Sequence, residues 1–403
     1  MIDSLNLCSA KRIKLKKGYI SKKRFSVLLC WLNIIVLGMP PGLSFLFPAF
    51  ISYSLLVFGV FVFLLDLYFF IIRKKAEITI PFLFLSIFCV LFLISTAING
   101  QDILRCVKFV YKILLSYFFA IGFLKPSFKQ TISYLSFVGK IVLFLNFLIM
   151  VTRYPDGLYV FDYHEYSLIG ITNSMETYWL PFALFWMIDV LINKKRFFFI
   201  HLSFIFLITF IPSFLYKSTT GYLISLMTLA FWSLVYLRGF IRISIRSSSL
   251  FWLIIIAFVI WFLVSAEISY IPILAEQTTF IQRIGLWKTS INMIKEKPLF
   301  GYGLGETDNV VYFNQWRNYS PHNLYLMIAM WGGIPLLIVF AFYYWVSSKK
   351  IFKYNDKISG LIKATLVLFL IYSIVEINNN LYLFVLTIAT SKIYSDKLVV
   401  TKG

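Results

Sequence analysis

Long runs of apolar residues, separated by short polar or basic stretches, follow one another along the chain of 403 residues. Each run is about 17–25 residues long, the length that an α-helix needs to cross a hydrocarbon layer about 30 Å thick. Twelve transmembrane helices are predicted, at about 25–39, 47–72, 78–98, 103–124, 131–152, 176–192, 197–215, 221–237, 249–266, 322–347, 359–376 and 380–394. The pattern is typical of an all-α, polytopic membrane protein.

The composition and the charge agree with this prediction. The chain is 60% hydrophobic and only 14% charged, and most of its 38 Lys and Arg residues lie in the N-terminal tail and in every second connection between helices. This distribution sets membrane orientation and explains the net charge of +21 without a nucleic-acid partner. Both termini are therefore predicted to be cytoplasmic. The predicted order is a basic tail (1–24), helices one to nine (25–266), an outer loop (267–321), helices ten to twelve (322–394) and a C-terminal tail (395–403).

Basic residues within or beside the predicted helices are the first candidates for function. Arg105, Lys108 and Lys112 are spaced to lie on one face of helix four. A charge in the hydrocarbon core costs about 2.5–3.5 kcal/mol, so such a residue is expected to have a structural or functional role. For Lys108 and Lys112, snorkelling to the interface or pairing with a helical neighbour is as good an explanation as a functional role. For Arg105 a functional role is favoured. Lys217, beside three hydroxyl residues at the junction of helices seven and eight, predicts either an anion contact or a helix cap.

The outer loop at 267–321 contains a predicted helix followed by a glycine run. Apolar residues at helical spacing, which are Ile284, Trp287, Ile291 and Ile294, predict an amphipathic helix that lies on the membrane. Pro298 stops this helix, and Gly301, Gly303 and Gly305 follow it. The G-x-G-x-G pattern alone predicts a tight turn, because it lacks the preceding strand and the spacing of a dinucleotide site.

His322 stands at the mouth of helix ten, directly after the outer loop. Neutral imidazole is well suited to proton transfer near neutral pH, although a lone histidine at a helix start is more often a capping or interfacial residue. His164, His201, Lys140 and Asp189 are interpreted as structural. No spacing typical of a metal site or of a Ser–His–Asp triad occurs, so neither a metal nor a cofactor is expected.

The combination of these motifs resembles one family. The segments "PLFGYGLG", "SPHNLYL" and "GGIP", together with the spacing from His322 to Gly333, are similar to the shared region of bacterial O-antigen ligases and of O-antigen or capsule repeat-unit polymerases. The matching motifs lie within about residues 280–340. Elsewhere the resemblance rests on the number and order of the predicted helices and on the long outer loop. One difference lies at the helix seven–eight junction, where many ligases carry Ser-Arg-Gly and this chain has "KSTTG". Lys217 would supply a point charge there without the bidentate fork of an arginine.

The resemblance implies an inverting, metal-independent glycosyl transfer at the periplasmic face of the bacterial inner membrane. The implied donor is a glycan on undecaprenyl diphosphate, and a chain-length regulator and a flippase are possible partners. Carried to this chain, His322 is the candidate base, and Arg283 holds the donor diphosphate. Arg105 and Lys217 are further diphosphate contacts, and the glycines, including Gly333, shape the loop near the site.

Three functions stay open at this point. A ligase transfers finished glycan to lipid A–core, whose phosphates favour a basic outer surface, whereas a polymerase transfers a growing chain to another repeat unit. Loop 267–321 has balanced charges and loop 153–175 is acidic, which favours the polymerase. A flippase for lipid-linked sugars is the alternative of another class, but it predicts internal repeats and broken helices in matching halves.

Overall fold

The computed structural model describes residues 24–43, 49–72, 79–161, 164–171, 175–193, 197–238, 278–304, 311–313, 316–319, 321–376 and 380–402. The chain is mostly helical. The described helices are α1 (Arg24–Gly38), α2 (Ala49–Ile72), α3 (Ile80–Ile98), α4 (Ile103–Phe119), α5 (Lys125–Thr152), α6 (Glu176–Ile192), α7 (Phe198–Leu215), α8 (Thr219–Arg238), α9 (Thr278–Glu296), α10 (Leu324–Ser348), α11 (Lys357–Val375) and α12 (Leu381–Lys402).

These helices support a multi-pass membrane protein. Six segments of the described chain are long and apolar enough to cross a membrane, namely Ile80–Ile98, Ile103–Thr152, Phe198–Leu215, Thr219–Leu237, Leu324–Lys353 and Lys357–Val375. Helices also occur at the other predicted positions except helix nine (249–266), which lies outside the described residues. The count of twelve crossings and the orientation of the termini stay predictions.

The segment Ile103–Thr152 contains two helices. A π-helical turn, Ala120–Leu124, joins α4 to α5, and the backbone of Ser127 leaves the helical region (φ −133°, ψ 47°). A straight helix of 50 residues would be about 75 Å long, more than twice the hydrocarbon thickness. Pro126 has no N–H to donate, which favours a kink at this position. The chain therefore changes direction where the basic residues predicted a connection.

The fold agrees with the predicted all-α class, and two small antiparallel sheets lie in the predicted outer loops. The strands are β1 (Tyr159–Phe161), β2 (His164–Ser167) and β3 (Gly170–Ile171) in one sheet, and β4 (Val311–Phe313) and β5 (Trp316–Tyr319) in the other. Strands of two to four residues are too short to show a clear alternation of apolar and polar positions, which is why the sequence pattern did not reveal them.

Helix α6 is the centre of the bundle. Every residue from Glu176 to Val190 is buried, and the helix packs against α5, α7, α11 and α12. A helix that is apolar on all sides finds enough partners only in the interior. Its first turn brings Glu176 to the end of the bundle that also holds His322 and the end of α11. This end is called the site end below.

The apolar face of α9 packs against α10. The residues that form this contact are Leu286, Trp287, Ile291 and Ile294 of α9 and Leu326, Ala329 and Met330 of α10. The face that was predicted to lie on the membrane is therefore covered by protein. The sequence pattern identifies an apolar face correctly, but it cannot distinguish lipid from a neighbouring helix as the partner of that face.

Helix α10 is not straight, because Gly332 (φ −136°) and Gly333 (φ 73°) interrupt it. Pro335 has no N–H, so the carbonyl of Trp331 has no partner one turn later. Segment 298–304 supplies the missing bonds: its backbone N–H groups donate to the carbonyls of Met330 and Trp331 at 2.7 and 2.9 Å. Irregular backbone at membrane depth is tolerated where protein satisfies it in this way.

The glycine run is the element that fills this interruption. Gly301 and Gly303 have positive φ values of 59° and 75°. A Cβ on Gly301 would lie 2.3 Å from the carbonyl oxygen of Met330, and one on Gly303 would lie 2.7 Å from Cα of Thr96. These two glycines thus form the tight turn that the sequence predicted. Gly305 lies outside the described residues.

Replacing Gly333 by Ala is expected to destabilise the protein. A Cβ there would lie 2.4 Å from the carbonyl oxygen of Leu299, and φ is positive, so we expect a loss of at least about 1–3 kcal/mol. The melting temperature of the purified protein in detergent measures the effect. Gly122→Ala is the matched control, because nothing lies within 4 Å of the added Cβ. Equal melting temperatures for the two variants would contradict this account of the break.

Candidate active site

A buried carboxylate, Glu376, joins the two residues to which the sequence assigns chemistry. Arg283 forms a salt bridge through Nη2 with one oxygen of Glu376, and its Nη1 donates to the carbonyl of Val375 at 2.9 Å. The other oxygen of Glu376 lies 2.9 Å from Nδ1 of His322. The side chain of Glu376 is 2% exposed, whereas those of Arg283 and His322 are 22% and 29% exposed. The Glu376 carboxylate is thus buried in the protein, whereas the side chains of Arg283 and His322 remain partly accessible.

His322 precedes α10 and does not belong to it, so the predicted start of helix ten at 322 is two residues too early. Asn323 is the N-cap, and its side-chain oxygen accepts a hydrogen bond from the N–H of Leu326 at 3.0 Å. The Asn323 amide donates to the carbonyl of Ile374 at 2.9 Å, which ties this turn to the end of α11. His322 has a left-handed backbone (φ 45°), an uncommon conformation for a side chain of this size. The ring is therefore directed by a fixed turn and not by the helix.

Trp287 holds the segment before His322. Its indole N–H donates to the carbonyl of Pro321 at 2.7 Å, and the side chain is 2% exposed. Arg283 lies four residues earlier on the same helix and therefore on the same face. One helix, α9, thus supplies both the cation that binds Glu376 and the support for the histidine turn. From the sequence, Trp287 was predicted only as part of an apolar face.

A second buried carboxylate lies beside this cluster. Glu176 is 1% exposed and interacts electrostatically with Glu376. Tyr372, also fully buried, interacts with both carboxylates. The hydroxyl-rich junction of α7 and α8 adjoins Glu176, because a Cβ on Gly221 would lie 2.4 Å from Oε1 of Glu176. The α7–α8 junction therefore lies at the same end of the bundle as the Arg283–Glu376–His322 cluster.

The other predicted anion contacts lie on exposed positions. Lys217 is exposed between α7 and α8 with a left-handed backbone (φ 56°), while Ser218 caps α8 by accepting from the N–H of Gly221 at 3.3 Å. The helix-cap interpretation of this junction thus applies to Ser218. Arg105 is exposed in the first turn of α4, where the side chain of Asp102 accepts from its backbone N–H at 3.0 Å.

Residues interpreted as structural have structural surroundings. Lys140 lies 3.6 Å from Asp189, and Asn193 donates to the same carboxylate at 2.7 Å. His201 contacts Trp186 edge-on, with ring centroids 6.1 Å apart. The side chain of His164 lies outside the described residues.

Glu376 and Glu176 are residues of the candidate site that were not predicted from the sequence. Glu376 is the last residue of predicted helix eleven, and Glu176 is the first residue of predicted helix six. The signal that indicates both residues is an acidic side chain at the end of an otherwise apolar run, on the same side of the membrane as His322. Charge pairing across distant segments is not visible in the chain, because 93 residues separate Arg283 from Glu376.

These features define a polytopic helical membrane protein with a polar, partly accessible His–Glu–Arg site at one end of the bundle. Residues 202–341 match a family model described as O-antigen ligase, a range that includes Arg283, His322 and the glycine run. This match supports the resemblance to the O-antigen ligase and polymerase family over that part of the chain. Searches of curated proteins and of solved structures give no significant match.

Removing the carboxylate of Glu376 is expected to lower stability. Glu376→Ala leaves Arg283 without its anion, so we expect a loss of about 1.5–3 kcal/mol, the contribution of a hydrogen bond to a charged group. Thermal unfolding in detergent measures it. Glu296→Ala is the control, because this exposed carboxylate bonds only the hydroxyl of Tyr302 among the described residues and its loss should change little. Equal unfolding temperatures would show that the pair is not a stabilising contact.

Proposed function

We propose that the protein is a membrane glycosyltransferase of bacterial surface polysaccharide synthesis, and specifically an O-antigen polymerase. It would join repeat units carried on undecaprenyl diphosphate at the periplasmic face of the inner membrane, with both termini in the cytoplasm. The family match supports the class of reaction. The observation that carries the proposal is the pairing of His322 with the buried Glu376, because it prepares an imidazole for proton transfer.

In this mechanism His322 is the base for the acceptor hydroxyl. In this proposal Nδ1–H donates to the Glu376 carboxylate, which leaves the lone pair on Nε2 of the partly exposed His322 side chain. The carboxylate orients the ring and stabilises the imidazolium that forms when Nε2 accepts a proton. Glu376 is therefore a positioning residue, which acts through His322.

The chemical step forms one bond and breaks another. The hydroxyl oxygen of the acceptor attacks the anomeric carbon of the donor sugar while its proton passes to Nε2 of His322. The bond from the anomeric carbon to the diphosphate breaks, and its electron pair leaves with the lipid diphosphate. Attack from the side opposite the leaving group inverts the configuration. Cations near the diphosphate stabilise its growing charge, so the step needs no metal ion.

Arg283 has a different place in this mechanism from the one implied by the resemblance. Both of its terminal nitrogens bond protein acceptors, and Glu376 balances its charge. Its first role in the proposal is to hold Glu376 in the position that orients His322. The side chain stays partly exposed, and in the proposal its remaining N–H groups also contact the donor diphosphate, as the resemblance implied.

The ligase is the second candidate, because the matching family model is described by that activity. The polymerase is favoured by the balanced charge of loop 267–321 and by the absence of an arginine from the α7–α8 junction. A flippase would not need a base, so the His322–Glu376 pair gives no support to that alternative.

Replacing His322 by Ala is expected to abolish glycan transfer in the host, because general-base catalysis contributes about 10²–10⁴-fold. Gel electrophoresis of surface glycan and analysis of the lipid-linked pool measure it. A polymerase defect leaves lipid A–core with a single repeat unit, whereas a ligase defect leaves bare core and long lipid-linked polymer. His201→Ala is the control, because this second histidine lies in α7 against Trp186. Normal glycan in the His322→Ala strain would refute the catalytic role.

Glu376→Gln is expected to lower the transfer rate of the purified enzyme about 10–100-fold, the usual effect of removing the carboxylate that orients a histidine. An amide keeps the size of the side chain but loses the charge that stabilises the imidazolium, so proton transfer to His322 becomes slower.

The loss should lie in kcat, because Glu376 acts through the base. A variant with the wild-type kcat would show that Glu376 does not act through His322.

A further inference from the structure

Segment 298–304, which fills the interruption of α10, carries two large apolar side chains on its surface. Leu299 is 64% exposed and Phe300 is 45% exposed. The residues directly before them, Lys295, Glu296 and Lys297, are also exposed, so the apolar pair stands out from a polar stretch of chain. The position of the segment in the bundle indicates what contacts this pair.

The backbone of the segment is bonded to two apolar helices. The carbonyl of Pro298 accepts from the N–H of Ile334 at 2.8 Å, directly after the break in α10. The carbonyl of Phe300 accepts a hydrogen bond from the hydroxyl of Ser95, which lies in the last turn of α3. The apolar pair therefore lies level with the end of α3 and with the break in α10.

Both helices expose apolar surface, and both belong to the segments that are long and apolar enough to cross a membrane. The exposed residues of α3 are spaced three and four apart and so share one face, namely Ile87, Val90, Ile94 and Ile98. On α10, Ile334 and Ile338 are exposed four residues apart, directly after the break. Exposed apolar faces of membrane-spanning helices contact hydrocarbon. Leu299 and Phe300 extend this apolar surface to the edge of the bundle.

The polar side chains beside the pair are of the kinds that occur at a membrane interface. Nζ of Lys297 donates to the side-chain oxygen of Asn99 at 2.9 Å and lies 4.5 Å from the ring centroid of Tyr302. The hydroxyl of Tyr302 donates to Glu296 at 2.8 Å. Lysine and tyrosine suit this level, because each has an apolar body and a polar end. The segment thus combines an apolar pair with groups suited to the headgroup region.

We infer that Leu299 and Phe300 insert into the bilayer as a membrane anchor of the outer loop, with the acyl chains of phospholipids as their partner. The sequence pattern predicted this contact for the apolar face of α9, which α10 covers in the structure. The turn at 298–300 makes the contact in its place. Because the same segment bonds the free carbonyls of α10, the anchor also holds the support of the His322 turn at a fixed depth.

Quenching of a fluorescent label tests the inference in the intact protein and does not require glycosyl transfer. Leu299→Cys and Phe300→Cys are labelled separately with bimane and reconstituted in phosphatidylcholine nanodiscs, with or without phospholipid that carries a nitroxide on its acyl chain. We expect the nitroxide to quench both labels strongly. Iodide in the water should quench them severalfold less than a label at Asn292, an exposed polar position of α9. Wild type treated with bimane gives the background from the native cysteines.

The depth of the nitroxide gives a second readout. A nitroxide near the glycerol end of the chain should quench labels at Leu299 and Phe300 more than one near the methyl end. Val90→Cys is the control for hydrocarbon, because Val90 lies eight residues, about 12 Å, before the end of α3, and its label should show the reverse order.

Two results overturn the inference. Strong quenching by iodide with none by the nitroxide shows that the turn lies in water, and protection from both quenchers shows that protein covers it. Because each cysteine reports the depth by itself, the test holds if one of the two variants does not fold.

Discussion

The buried negative charge of Glu376 is the constraint on which the site end of this molecule depends. An isolated carboxylate away from water is strongly unfavourable, and it is stable only where cations and hydrogen-bond donors reach it. Arg283 meets one oxygen and His322 the other. These residues come from α9, from the turn before α10 and from the end of α11, so the three segments must meet for the charge to be satisfied.

The docking of α9 on α10 makes this meeting possible. The apolar face of α9 covers one side of α10, and the glycine segment that follows fills the interruption at Gly332 and Gly333. Trp287 then bonds the carbonyl of Pro321, directly before the histidine. The interruption of α10 and the glycine run therefore complete each other's backbone hydrogen bonds. Together with Trp287 they hold the turn that directs the His322 ring.

The positions of the helices could be predicted from the sequence, because an apolar run of membrane length has few alternative structures. The predicted bounds of helix six, 176–192, coincide with α6. The partners of the site could not be predicted in this way. Glu376 is one acidic residue beside a polar turn, and its partners are distant in the chain. The small sheets were also missed, because their strands are too short to show a pattern. The apolar face of α9 was assigned to lipid because the sequence does not distinguish lipid from a neighbouring helix as its partner.

The proposed chemistry makes opposite electrostatic demands on the two sides of the site. The base must be neutral before the reaction, and an unbalanced cation against the imidazole would lower its basicity. The leaving diphosphate, in contrast, needs positive charge. Glu376 reconciles these demands, because it neutralises Arg283 next to His322 and stabilises the imidazolium. In the proposed mechanism positive charge for the diphosphate comes from a separate element, since Arg105 lies exposed in the first turn of α4. Separating the base from the cations that bind the diphosphate lets the proposed site accept a proton and release an anion.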